Sequence, residues 1–387
     1  MWFLHFCFII KNFTFHKQWE SFRLLLSPRV LSGIHPRSQR ARIRGNGFPI
    51  KALGNDGKMR ATTMLTKQQH LELYCYLRQT RALEDFIYYI CANQNPKNPL
   101  IIGKGYLSTG QEAVSIGAAY TLEKNDWLAQ SHRDFGALLV RGIAVEELLA
   151  QYFSKANSFT KGRDANVHLG DTKRHLLGFI SHMGAMVPAA NGVAWAAKYR
   201  GDNAVTLAFF GDGASSQGVV HEAMNYAAVF KLAVVFICNN NHWAISTPVE
   251  DQMAIQNVAD RAQGYGMPGA VCDGNHVVEV FETVQKAVAR ARAGDGPSLI
   301  ECKTMRMAGH GTHDRYKYLS DEQIKTWEKR DPILTMEALL QEKGYADEKY
   351  FKKIADECHK KVEAATEKVK GWPDPTTDDQ LKDVFAP

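Results

Sequence analysis

The alternation of apolar and polar residues between positions 203 and 248 predicts a strand, a helix and a second strand. Residues 204–210 and 232–238 are apolar runs rich in Val, Ile and Phe, and residues 219–230 between them carry apolar residues at helical spacing. Apolar runs of this length indicate buried strands. Two strands joined by a helix most often form a right-handed crossover unit, in which they run parallel.

A helix is also predicted near the start of the patterned region. Thr66 and Gln69 have the spacing of a capping box, which satisfies unpaired N–H groups at a helix start. The helical period then continues to about Ala92. The core positions predicted on this helix are Leu73, Tyr74, Leu77 and Ile87.

Later segments continue the alternation of helices and strands. Residues 277–293 have helical period and residues 297–304 form another apolar run, whereas residues 154–176 lack periodicity and predict a loop. Residues 321–370 are charged and helix-periodic, as expected of a solvated surface with one packed face. The pattern predicts an α/β fold: a doubly wound parallel sheet with helices on both faces and helical N- and C-terminal extensions.

Polar residues follow both strands of the central unit. Gly211-Asp212-Gly213 ends the first apolar run, and Asn241 closes a run of three asparagines after the second. Because the carboxyl ends of parallel strands share one edge, Asp212 and Asn241 are expected to lie together where such sheets bind ligands. Carboxylate and amide oxygens suit Mg2+, and a helix start after Gly213 would attract a phosphate.

These features predict a site for a metal-bound diphosphate. The sequence is neither GxGxxG nor a P-loop, which weakens nicotinamide and nucleoside-triphosphate interpretations. A Gly-Asp-Gly triplet alone is also common in ordinary turns. The triplet, 26 intervening residues and an asparagine pair together resemble the thiamine-diphosphate motif.

From about Leu65 to its C-terminus the chain resembles the alpha subunit of the thiamine-diphosphate-dependent decarboxylating first component of 2-oxo acid dehydrogenase complexes. Residues 244–248 and 265–269 are more typical of branched-chain (2-oxoisovalerate) enzymes than of pyruvate enzymes. The resemblance implies thiamine diphosphate and Mg2+ as cofactors. It also implies oxidative decarboxylation of a branched-chain 2-oxo acid, with pyruvate and acetoin as the alternative substrates.

The resemblance assigns the metal and phosphate ligands. Asp212, Asn241 and the backbone carbonyl of Trp243 would hold Mg2+, with Gly211, Gly213 and Ala214 completing the motif around the diphosphate.

Four further residues carry family roles outside this motif. Arg133 would hold the diphosphate, and His132 replaces the usual tyrosine before it. His310, four residues after an arginine, would contact the phosphate end and the reaction centre as the catalytic residue. The backbone of two positions, Ser181 and Met183, would touch the aminopyrimidine ring. Taken alone, Arg133 would more often be a surface group and His310 a loop residue.

Two departures from the family pattern change the expectations. Gly311 occupies the position of the serine that eukaryotic members phosphorylate, so kinase control at that point is not expected. Ala185 and Met186 replace the Thr and Gln that often bind K+ in branched-chain enzymes, so that site is expected to be absent.

The implied mechanism needs other chains. A beta subunit would supply the activating glutamate in an alpha2-beta2 heterotetramer, and a lipoyl acyltransferase component would receive the acyl group. A transketolase-like half of a thiamine enzyme and a non-catalytic relative that kept the fold are the other hypotheses.

Composition bounds the class of protein. Residues 1–60 hold eleven Lys and Arg against two acids, so the net charge of +6 comes from this segment and gives no argument for nucleic acid binding. Seven scattered cysteines favour a reducing, cytosol-like compartment, and no apolar run suggests a membrane span. We predict a cytoplasmic protein, or a mitochondrial matrix protein if residues 1–60 are a transit peptide.

The predicted domain organisation follows from the same patterns. Residues 1–60 are expected to be a disordered leader or a misassigned start. Residues 61–387 are expected to form a single domain, with its core at about 100–310 and a helical tail at about 320–375.

Overall fold

A computed structural model of the protein describes residues 64–379 and residue 382, so the predicted leader at 1–60 lies outside the described residues. Helix α1 covers Lys67–Asn93 and begins with the predicted capping box: Gln69 N donates to Thr66 Oγ1, and Thr66 N donates to Gln69 Oε1 at 2.9 Å. The predicted core positions of this helix are all completely buried, namely Leu73, Tyr74, Leu77 and Ile87.

The other elements follow in chain order. The helices are α2 (Glu112–Ala119), α3 (Phe135–Val140), α4 (Val145–Tyr152), α5 (Met186–Arg200), α6 (Gly218–Val229), α7 (Val249–Gln252), α8 (Val277–Arg292), α9 (Asp321–Glu328), α10 (Pro332–Glu342) and α11 (Glu348–Lys370). The strands are β1 (Trp127–Ala129), β2 (Thr206–Gly211), β3 (Val234–Asn240), β4 (Trp243–Ala244), β5 (Thr247–Pro248), β6 (Gly269–Asp273) and β7 (Ser298–Lys303).

Five of these strands form one parallel sheet in the order β1-β2-β3-β7-β6. Strands β2 and β3 pair in register, with Phe210 opposite Cys238 and Gly211 opposite Asn239. The predicted crossover unit of β2, α6 and β3 therefore exists, and the predicted α/β fold is confirmed. Strands β4 and β5 form a separate antiparallel hairpin beside the sheet.

Helices cover both faces of the sheet. Alternate side chains of β2 and β3 enter two different apolar clusters: Leu207 and Ile237 pack on the face that includes α8, and Ala208 and Phe236 pack on the face of α5 and α6. Strands buried on both faces read as continuous apolar runs, which explains why residues 204–210 and 232–238 show no polar alternation.

The helix predicted at residues 219–230 is α6, Gly218–Val229, and a turn of 3-10 helix, Ala214–Ser216, separates it from Gly213. The predicted loop at 154–176 is confirmed apart from a short 3-10 turn, Thr172–Arg174, and two isolated bridges that Leu176 forms with Asp171 and Leu128. No helix in the described part of the chain is long and apolar enough to cross a membrane.

Candidate active site

Asp212 and Asn241 meet at the carboxyl edge of the sheet. Asp212 follows β2 and Asn241 follows β3, and both residues are buried. Asn241 N donates to Asp212 Oδ1 at 3.3 Å. Burial raises the pKa of Asp212, and a hydrogen bond from Gln252 opposes that rise.

Two glutamines hold this pair from either side. Gln252 Nε2 donates to Asp212 Oδ2 at 2.9 Å, and Asn241 Nδ2 donates to Gln111 Oε1 at 3.0 Å. The other amide atom of each glutamine, Gln252 Oε1 and Gln111 Nε2, is buried and has no hydrogen-bond partner among the described residues. Buried polar atoms without partners are costly, so this edge has unused capacity for a polar ligand.

The β4–β5 hairpin closes over the Gly-Asp-Gly turn. A Cβ on Gly213 would lie 2.7 Å from Ala244 Cβ, so only glycine permits this approach. Trp243 N donates to Asn241 Oδ1 at 3.2 Å, which places the start of the hairpin beside the pair. Ile245 has a φ of +57°, a conformation that is strained for a β-branched residue.

Arg133 and His310 form the second part of the site. Arg133 follows β1, is buried, and donates through Nη1 to Leu107 O at 2.8 Å. Its Nη2 lies 2.6 Å from His310 O and 3.0 Å from His310 Nδ1. Burial, with the positive charges of Arg133 and Arg306, lowers the pKa of His310 to about 4, so the imidazole is neutral at pH 7.

Arg306 is a site residue that the sequence did not reveal. It is 2% exposed and donates to Ile245 O at 2.9 Å and Tyr318 Oη at 2.6 Å. Burial and the charge of Arg306 lower the pKa of Arg133 to about 9. Among the described residues neither guanidinium has a carboxylate within salt-bridge distance.

Two buried, mutually repelling cations without a carboxylate partner are the signature of an anion site. In the sequence analysis Arg306 was used only to locate His310, four residues later, and was not itself assigned to the site. No group of three or more His, Cys, Asp or Glu side chains in the described part of the chain is arranged to hold a metal. A metal at this edge would therefore depend on Asp212 together with amide and carbonyl oxygens.

His132 lies between these groups. Its Nδ1 is 3.1 Å from Ser131 Oγ, and its ring meets Tyr106 edge to face with centroids 5.4 Å apart. Its Nε2 is buried without a partner in the described residues. Burial and the charge of Arg133 keep the pKa of His132 well below its usual value, so it is neutral.

Ser181 and Met183 are exposed, unlike the residues above. Ser181 Oγ lies 2.6 Å from His168 Nε2, and His168 Nδ1 lies 2.9 Å from Asp164 Oδ2. This chain of contacts ties the 181–183 segment to the predicted loop. The remaining predicted positions, Gly211 and Ala214, flank Asp212 as the sequence requires.

Residues 81–378 match the model of the family described as dehydrogenase E1 component. This match covers far more than half of the chain and includes every predicted site residue. The chain belongs to the dehydrogenase E1 component family. The family predicted from the Gly-Asp-Gly and asparagine spacing is confirmed.

Related dehydrogenase E1 chains span most of this sequence. It is 34% identical to 2-oxoisovalerate dehydrogenase subunit alpha of Bacillus subtilis over 83% of this chain and 97% of that protein. It is 38% identical to 3-methyl-2-oxobutanoate dehydrogenase subunit alpha of Mycobacterium tuberculosis, over 72% and 73% respectively. The alpha subunit of acetoin:2,6-dichlorophenolindophenol oxidoreductase of Bacillus subtilis is 33% identical over 83% and 95%.

Proposed function

We propose that this chain is the alpha subunit of the decarboxylating first component of a 2-oxo acid dehydrogenase complex, and that its substrate is a branched-chain 2-oxo acid. The observation that carries the proposal is the pairing of an anion site with an oxygen-donor site. Arg133 and Arg306 are buried and have no carboxylate partner in the described part of the chain, and they lie beside the edge where Asp212 and Asn241 meet. Relatives named for 2-oxoisovalerate and 3-methyl-2-oxobutanoate support the branched-chain substrate.

Mg2+ would be held by Asp212, by the side-chain oxygen of Asn241 and by the backbone carbonyl of Trp243. One carboxylate with neutral oxygens is a donor set that suits a hard divalent cation bound together with phosphate. The unpartnered Gln252 Oε1 beside Asp212 fits a polar ligand at this edge.

The dehydrogenase E1 family depends on thiamine diphosphate, which would supply the electron sink for loss of carbon dioxide. The chain's own part is to bind and orient that group. Arg133 would neutralise its diphosphate end, assisted by Arg306, because a guanidinium in a water-poor site binds phosphate oxygens strongly.

His310 would act as a neutral hydrogen-bond donor near the reacting atoms. Its Nδ1 accepts from Arg133 Nη2, so the ring proton is assigned to Nε2. The low pKa, about 4, keeps the ring neutral at working pH. His310 can therefore donate to an oxygen of the substrate without adding a positive charge.

A beta subunit in an alpha2-beta2 heterotetramer would complete the site, and a lipoyl acyltransferase would accept the acyl group. The support is the surface around α5 and α6. Residues 185–197 contain no charged side chain. Three aromatic residues form an exposed cluster with ring centroids as close as 4.6 Å, namely Trp195, Tyr226 and Phe230. Exposed apolar patches of this kind mark protein interfaces.

The deciding experiment is reconstitution with a beta subunit, a lipoyl acyltransferase and its reductase, with NADH formation measured over a panel of 2-oxo acids and acetoin. We expect 3-methyl-2-oxobutanoate to give the highest kcat/KM and the alpha chain alone to give none. Acetoin or pyruvate ranking first would select the alternative suggested by the other relatives. Full decarboxylation by the single chain would contradict the partner assignment.

Two earlier expectations remain predictions. Loss of the K+ site at Ala185 and Met186 would be tested by the effect of K+ on melting temperature. The cytoplasmic location, with the mitochondrial matrix as the alternative, would be tested by cell fractionation.

A further inference from the structure

Glu84 has a buried carboxyl group that contacts a turn next to the candidate site. It lies on α1 and is 0% exposed. Both of its oxygens lie 2.9 Å from Ser108 N, and its Oε1 lies 2.5 Å from Ser108 Oγ. The hydroxyl of Thr109 donates to Oε2 at 3.3 Å. Three donors from two consecutive residues thus converge on one carboxyl group.

The turn that Glu84 holds, residues 107–111, contacts both parts of the site. Leu107 O accepts from Arg133 Nη1 at 2.8 Å, which orients the guanidinium. Gln111 Oε1 accepts from Asn241 Nδ2 at 3.0 Å, which orients the amide. A shift of this turn would therefore move the anion-binding and the oxygen-donor groups together.

The turn has little freedom to adopt another shape. Gly110 has a φ of +93°, and a Cβ there would lie 2.5 Å from Met307 Cγ and 2.7 Å from Met305 O. Thr109 O accepts from Met307 N at 2.9 Å. The chain that leads to His310 therefore holds one side of the turn, and the Glu84 carboxyl holds the other.

Glu84 lacks the counter-ion that its buried neighbour has. Arg81 pairs with Glu112 at 2.5 Å and with Asp331 at 3.0 Å. No basic side chain among the described residues lies within salt-bridge distance of Glu84. The titratable and charged groups that face it from the packed elements are Arg81, Glu112, Arg133 and Tyr152.

We propose that Glu84 is a positioning residue: its carboxyl fixes the 107–111 turn, and its ionisation opposes the binding of an anion at Arg133. This inference rests on the proposed function, because the anion in question is the diphosphate of the cofactor. Glu84 touches neither cofactor nor substrate and acts only through Ser108, Thr109 and the charge that Arg133 experiences.

The direction of the effect follows from the charges. Burial and the neighbouring Glu112 raise the pKa of Glu84 to about 8. Below that pH the group is neutral and Arg133 keeps its full positive charge for a phosphate. Above that pH the negative charge of the Glu84 carboxylate partly offsets the positive charge of Arg133. Binding of a diphosphate then favours the neutral form of Glu84, which takes up a proton. Anion binding near pH 8 is then accompanied by proton uptake.

The test uses the alpha–beta complex, with thiamine diphosphate and Mg2+ titrated by calorimetry from pH 7 to 9. The Kd of the wild type should rise by at least about eightfold between pH 7.5 and 9, because the titration of Glu84 at about pH 8 alone accounts for that change. Calorimetry in buffers of different ionisation enthalpy should show an uptake of about half a proton at pH 8. Glu84→Gln should bind like wild type at pH 7.5 and weaken by only about twofold up to pH 9, because only Arg133, with its pKa lowered to about 9, then loses charge. Its proton uptake at pH 8 should be about a tenth of a proton.

A second variant separates the positioning effect from the charge effect. Glu84→Leu fills a similar volume but offers no acceptor to Ser108, so the Kd for thiamine diphosphate should rise at least about tenfold at every pH, since a buried donor is left unpaired. Glu72→Gln, on the same helix and bonded to Tyr120, is the matched control and should behave as wild type.

Equal pH profiles for wild type and Glu84→Gln, or wild-type affinity in Glu84→Leu, would overturn the inference. If Glu84→Leu fails to fold, the proton uptake of wild type against Glu84→Gln decides alone. If wild type binds no thiamine diphosphate at any pH, the proposed function itself is wrong.

Discussion

Replacing Arg133 with Met should weaken cofactor binding without destabilising the empty protein. Lowering the pKa of Arg133 from 12.5 to about 9 corresponds to roughly 5 kcal/mol of disfavoured charge. Three hydrogen bonds, to Leu107 O and to His310 O and Nδ1, return about 1–1.5 kcal/mol each. The net effect of removing this guanidinium from the empty site is therefore about 0–2 kcal/mol in favour of folding.

The bound state should respond in the opposite direction. A guanidinium–phosphate contact contributes about 1.5–3 kcal/mol, so the Kd for thiamine diphosphate should rise about 10- to 150-fold. Calorimetry on the alpha–beta complex measures this change, and thermal melting without cofactor measures stability. The expected melting temperature of Arg133→Met is equal to or slightly above that of wild type.

Arg81 provides the matched control. It is also a largely buried arginine, but it is paired with Glu112 and Asp331. Breaking a buried pair leaves unpaired charges and costs about 3–5 kcal/mol, so Arg81→Met should melt far below wild type. The reasoning is refuted if Arg133→Met destabilises the complex as Arg81→Met does while leaving thiamine diphosphate affinity unchanged.

Three further outcomes are expected. Asp212→Asn should reduce Mg2+-dependent binding of thiamine diphosphate by at least about 100-fold. Its melting temperature should stay within a few degrees of wild type, since a buried carboxylate with a raised pKa contributes little to folding. Unchanged Mg2+ dependence in calorimetry would contradict this prediction. Because the pKa of His310 is lowered to about 4, the stability of the wild type should fall as pH drops from about 6.5 towards 4. The melting temperature of His310→Gln should fall less than that of wild type over this pH range. An equal fall in both proteins would argue against this prediction. Tyr226→Glu should weaken association with the beta subunit by about tenfold or more, as measured by analytical ultracentrifugation. The control Glu250→Gln, at an exposed position of α7, should leave the affinity unchanged. Equal affinities for the two variants would show that Tyr226 is not in the interface.

The fold was predictable where one physical signal dominated. Strands β2 and β3 are buried on both faces, so their sequences are apolar throughout and their ends are marked by Gly211 and Asn240. Pairing of adjacent strands then places Asp212 next to Asn241, 29 positions away in the chain. The helical period at residues 219–230 likewise located α6, whereas the 3-10 turn at Ala214–Ser216 is too short for a periodic pattern to reveal.

The rest of the site depends on contacts that periodicity does not encode. Gln111 meets Asn241 across 130 positions, and Arg133 meets His310 across 177. Strand β1 is three residues long, too short for a pattern to reveal, although it places Arg133 at the sheet edge. Sequence reasoning assigned Arg133 and His310 by resemblance and placed the turn that contains Gln111 at the entrance of the site, but it missed Gln252 and Arg306.

The distribution of partners among buried charges distinguishes the site from the framework. Arg292 and Asp126 pair at 2.6 Å, and Arg81 has two carboxylates, so these arginines are satisfied by the fold itself. Within residues 64–379, Arg133 and Arg306 are satisfied only by neutral acceptors, although each is more deeply buried. A protein that folds with two uncompensated cations at one edge gives up stability there. Binding of a diphosphate recovers that stability, and the cofactor should therefore raise the melting temperature of wild type more than that of Arg133→Met.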